Sequence, residues 1–95
     1  MLELPPQVKP YKTTPVFTPQ NIPKGLLAEH STKAGTWGVL EVDSGAIEYV
    51  VTQVGFEESV TIQAGGTAII APEHTHYVAL SADAVFQIIF HRIAK

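Results

Sequence analysis

Four histidines, His30, His74, His76 and His91, are the clear source of chemistry in this 95-residue chain. His74 and His76 are separated by one residue, and on an extended strand such positions project to the same face. His76 keeps phase with Val78 and Leu80, and His30 with Leu26 and Ala28, so both imidazoles are expected to point inward. An inward imidazole needs a partner for each ring nitrogen, and a metal is one solution; a hydrogen-bonded core histidine is the competing one. Three neutral imidazoles with water in the remaining position suit zinc, iron, nickel or copper, and ligand type alone does not choose among them. His30, His74 and His76 are therefore the candidate ligands of a divalent metal ion. Glu73 reads as a turn carboxylate that could ligate or hold a ligand, and His91, next to Arg92, reads as a surface residue. The third ligand stays open among His74, Glu73 and His91.

Other chemistries are excluded more sharply. There is no cysteine, hence no disulfide framework and no thiolate site. No serine, lysine or aspartate sits in a nucleophile motif, there is no HExxH, and Gly65-Gly66 reads as a β-turn, not a phosphate cradle. A net charge of −3 with six Lys and Arg lacks the basic stripe that nucleic acid demands. The apolar runs fall far short of the ~20 residues of a membrane span. MLELPPQVKP has neither a basic start nor an apolar stretch, so no secretory signal is expected and the cytoplasm is the expected location.

The elements that must position the histidines can be read from the punctuation. Pro5, Pro6, Pro10, Pro15, Pro19 and Pro23 fall early and only Pro72 later; each fixes φ and removes an amide donor. Residues 1–24 are expected to form an extended proline-rich arm packed on the body, anchored by Val8, Tyr11, Val16 and Phe17. Residues 25–95 carry short apolar runs between turn signals, the all-β pattern, with strands near 25–30, 36–42, 46–53, 57–62, 67–71, 75–80 and 84–92. Such spacing suggests a sandwich or barrel. In 84–90, Val85 and Ile89 alternate with Phe86, Ile88 and Phe90, so a second apolar face needs cover from the arm or from a second subunit; a homodimer is expected.

Glu29-His30-Ser31-Thr32-Lys33-Ala34-Gly35-Thr36-Trp37, followed by a strand, a Gly45 turn and another strand, resembles the small-cupin family of the TehB amino-terminal domain and YeaR, a tellurite-resistance-associated domain. Tyr11-Lys12-Thr13-Thr14-Pro15-Val16-Phe17, with Pro23 beyond it, is similar to that family's arm, and Pro72-Glu73-His74-Thr75-His76 resembles its second histidine motif. The likeness runs from about Tyr11 to Phe90. It implies a single-domain cupin, a double-stranded β-helix or jelly-roll barrel whose mouth often holds a divalent metal. By position His30 and His76 match the family's two histidines, His74 falls where relatives generally carry another residue, and His91 where they look aromatic. Trp37 matches as well and is expected to be a buried structural indole. The broader cupin pattern has two histidines and a glutamate in its first motif and a glycine at the position of His74; here the first motif keeps only His30. TehB carries a methyltransferase domain after this one, and that domain is expected to be missing from this chain, leaving an accessory role.

The functional expectation is a small stand-alone cupin binding module. It would hold a divalent metal and a small anionic or polar ligand, such as an oxyanion, in the barrel, accessory to tellurite or stress resistance. The alternatives are a metal-dependent oxygenase, isomerase or hydrolase in which Glu73 or His74 shuttles protons, and a non-catalytic dimeric interaction domain. Fold-level analogy does not separate them.

Overall fold

The structure, a computed structural model, describes residues 3–93. Among them the order is β1 (Val8–Thr13), α1 (Lys24–Leu27), β2 (Trp37–Ser44), β3 (Ala46–Val51), β4 (Glu58–Gln63), β5 (Thr67–Ile70), β6 (His76–Leu80) and β7 (Val85–Ile93). The strands form a four-stranded sheet, β1-β7-β2-β5, and a three-stranded sheet, β4-β3-β6, with every ladder antiparallel.

Alternation puts the core between the two sheets. Along β2, Gly38, Leu40 and Val42 are buried and their neighbours are not; along β3, Ile47, Tyr49 and Val51 are. Period-two burial is what a strand with one core-facing side requires. Leu40 stands opposite Ile88 and Val42 opposite Phe86 in the β2–β7 ladder, so their side chains are cross-strand neighbours on the buried face. Gly38 is needed there for a different reason: a Cβ would sit 3.2–3.3 Å from the Ile70 and Ile88 side chains.

The all-β class holds, but the expected closed barrel does not form. Each sheet keeps two free edges, β1 and β5 in one, β4 and β6 in the other. Closure would need a continuous ladder from one sheet to the other. Instead β5 stops at Ile70, and Pro72 with Glu73, at φ 63°, turns the chain away before β6 begins.

The strand expected at 25–30 is also replaced. Pro23 already has a φ of −59° and accepts the Leu26 amide at 3.0 Å, so the chain winds into the single turn of α1. Lys-Gly-Leu-Leu has no β-branched residue to favour a strand over that turn. His30 alone of this stretch pairs: its N–H donates to the His76 carbonyl at 2.9 Å, and the His76 N–H returns the bond at 2.8 Å. The other expected strands appear within a few residues of their places.

Residues 8–13 lie in the plane of the four-stranded sheet, as the edge strand β1 paired with β7. The register shifts between Pro10 and Lys12, where a residue without an amide hydrogen interrupts the ladder. Further on, Phe17 exchanges backbone bonds of 2.7 and 3.0 Å with Phe86, and the two rings lie 5.5 Å apart. No helix among the described residues is long and apolar enough to cross a membrane.

Candidate functional site

The His30–His76 backbone bridge brings the two imidazoles together with ring centroids 4.3 Å apart, edge to face. His76 is 2% exposed and is flanked on its other side by the Tyr49 ring at 5.2 Å. Each histidine uses one nitrogen locally: His30 Nδ1 meets the Ala28 carbonyl at 2.9 Å, and His76 Nδ1 meets the His74 carbonyl at 2.7 Å. A carbonyl can only accept, so each Nδ1 carries the proton and each neutral ring keeps a lone pair on Nε2. Both histidines line a cleft of about 340 Å³ whose walls are largely apolar, from Leu26, Ile70, Ile88 and Phe90. Among the described residues no buried side-chain nitrogen or oxygen lacks a partner, and both imidazoles line the cleft.

Burial pushes the His76 imidazole below its usual range. The His74 carbonyl opposes that shift, and the neighbouring His30 and His74 add to it. Tyr49, beneath it, is pushed up to about 12 by burial and then by the Glu58 carboxylate. Near neutral pH the His76 imidazole that lines the cleft is thus neutral.

His74 does not join this pair. It precedes β6 in an irregular stretch after the Glu73 turn, so the two-residue strand period that was to align it with His76 does not apply. Its ring stacks on Phe56 at 4.3 Å, in a separate depression with Tyr49, Glu57 and Glu58. Glu73 is exposed, its N–H spent on the Thr32 carbonyl. His91 lies on β7 opposite Trp37 and Pro10, with Nδ1 against the Ile89 carbonyl at 3.1 Å. Trp37 is half-buried and takes no place in the core.

The expectation of a divalent zinc, iron, nickel or copper ion is therefore corrected. His30 and His76 supply two nitrogens, whereas a bound zinc takes three or four protein ligands. Among the described residues no three His, Cys, Asp or Glu side chains come together to hold a metal.

Sequence reasoning missed the cleft's cationic rim. Lys12 and Lys33 line the histidine cleft. A larger groove of about 710 Å³ continues from it through Tyr11, Lys33 and Thr36 to Lys9 and Arg92. Lys33 was legible as part of a turn, but its convergence with β1 and β7 depends on a pairing between distant parts of the chain.

A two-sheet antiparallel domain with an open, histidine-floored cleft is thus the class of protein that fold and site define. Residues 12–88 match the family described as the TehB-like domain, and the chain belongs to that family. It is 36% identical over 77 residues to the probable S-adenosyl-L-methionine-dependent methyltransferase TehB of Haemophilus influenzae strain Rd, and to the same degree to that of strain 10810. Each match takes in 77% of this chain and 27% of the relative, so the chain spans about a quarter of the length of these curated relatives. The crystal structure of H. influenzae TehB superimposes with a TM-score of 0.81 at 29% identity, over 93% of this chain and 32% of that one. The crystal structure of a protein from E. coli strain K12 gives a TM-score of 0.90 at 26% identity, covering 100% of both chains. The H. influenzae relatives correct the functional expectation too. The name they carry is that of a probable methyltransferase using S-adenosyl-L-methionine, which displaces the metal-binding cupin module.

Proposed function

We propose that this chain is a methyltransferase-associated domain, holding a small molecule for S-adenosylmethionine-dependent methyl transfer without performing the transfer itself. The observation that carries the reading is the family match over residues 12–88, a span that contains both cleft histidines. Support comes from the form of the cleft. Its apolar walls exclude water around a ligand, while two Nε2 lone pairs accept hydrogen bonds from a hydroxyl or amine, the few polar groups that fix orientation in a small-molecule site. The sheet orders β1-β7-β2-β5 and β4-β3-β6 support reading the two layers as an open jelly roll of cupin type, with the ligand site between layers and without a metal.

The test is methyl transfer from S-adenosylmethionine by H. influenzae TehB lacking the segment this chain matches, with and without this chain added. The expected outcome is a rate that rises saturably with added chain and fails to rise with His30→Ala. A rate indifferent to the chain at every concentration overturns the proposal.

A further inference from the structure

Charge in this acidic protein is sorted in space. Lys9, Lys12, Lys33 and Arg92, four of the five lysines and arginines among the described residues, line the continuous groove and cleft, and none of the nine Asp and Glu side chains does. A cationic concavity on a molecule of net charge −3 focuses an attractive field on anions. The fold bears a cost to place these charges there. Lys9 and Arg92 stand directly opposite each other in the β1–β7 ladder, and like charges so placed destabilise a sheet. The Arg92 guanidinium lies 4.2 Å from the centroid of the Tyr11 ring, which orients it and relieves part of the repulsion. Lys33 reaches the same groove from a turn closed by the Thr36 N–H on its own carbonyl at 3.0 Å.

We propose that Lys9, Lys33 and Arg92 form an anion subsite at the mouth of the histidine cleft, taking an oxyanion group of phosphate or sulfate type. The group is either a free oxyanion or the head of a small organic molecule whose body enters the cleft beside His30 and His76. An anion between Lys9 and Arg92 turns a repulsive cross-strand pair into a bridge. This deepens the accessory-domain reading and rests on it for the use made of the ligand. Binding is read on the chain alone and methyl transfer in the two-component assay, so either can fail without the other.

The experiment titrates inorganic phosphate, and separately a small phosphomonoester, into the full chain at low ionic strength, following backbone amide NMR shifts and melting temperature. The expected result is saturable shifts at Lys33–Thr36 and Arg92, with affinity falling at least fivefold in Lys9→Gln and Lys33→Gln. Lys24→Gln, a cation that lines neither cavity, changes affinity less than twofold. Without anion, Lys9→Gln melts at or above the wild-type temperature, and phosphate no longer raises it. A phosphomonoester that binds tenfold tighter than phosphate assigns an organic ligand, and equal binding assigns the free oxyanion; both uphold the subsite. The absence of saturable shifts, or a loss in Lys24→Gln equal to that in Lys33→Gln, overturns it.

Discussion

His76 shows how the environment of one residue sets a property of the folded protein. Its imidazole is held below the ordinary value of 6.5 chiefly by burial, so between the folded and unfolded values the unfolded chain binds more protons. Stability then rises with pH across that window, and acidification below about 6.5 drains it. The expected outcome is a melting temperature that falls as pH drops from 7 to 5, with a shallower slope in His76→Gln. An unchanged slope, measured by thermal unfolding across that range, would assign the acid sensitivity elsewhere. At this scale the sequence was partly informative. The inward phase of His76 could be read, because it lies on a strand and is buried; that of His30 was argued from a strand at 25–30 that does not form, and His30 reaches His76 through an isolated bridge instead. The place of His74 could not, because Glu73 adopts a left-handed φ of 63°, a conformation uncommon for a residue with a Cβ, and strand phase does not survive it.

Among the elements, the β2–β3 turn ties the two sheets together at one end. Gly45 sits at φ +66°, and a Cβ there would fall 2.6 Å from Ser81 Oγ and 2.8 Å from the Ala84 backbone. Ser81 Oγ accepts the Ala46 N–H at 2.9 Å and donates to Asp83 at 2.8 Å, so the turn before β7 is stitched to the turn before β3. Gly45→Ala combines left-handed strain of about 1–2 kcal/mol with that crowding. A total loss of about 2–3 kcal/mol, seen as a lower urea midpoint with unchanged slope, is expected. Gly35→Ala, with φ +80° but open space around it, should lose only the strain of about 1–2 kcal/mol. Six of the seven observed strands were legible from alternation and turn residues; β1 was read only as part of an extended arm. The strand expected at 25–30 does not form, because Pro23 starts a helical turn in a stretch too short to show a helical period.

For the whole molecule, stability rests on one shared core. Leu40 and Phe86 from one sheet and Ile47 from the other are fully buried. Phe86→Ala should cost about 3–5 kcal/mol, against a total of roughly 5–15 kcal/mol for a small domain, and urea unfolding would measure it. That the chain is all-β was plain from its sequence. Whether its sheets close was not, since closure depends on how the Pro72–Glu73 corner aims β6, a matter of geometry that residue types do not encode. The placement of Lys9 beside Arg92 was hidden for a related reason: it is created by pairing residues from far-apart regions of the chain. That pairing also sets an order of events in the cell. Val8 is synthesised early but stands opposite Ile93 in the β1–β7 ladder, and at about 5–20 residues per second the ribosome needs on the order of ten seconds to deliver it. Through that interval β1 has no partner strand. Its Lys9, Lys12 and Pro10 are of the residue types that disfavour edge-to-edge pairing, so two of the cations that rim the groove also make the waiting strand a poor template for a neighbouring chain.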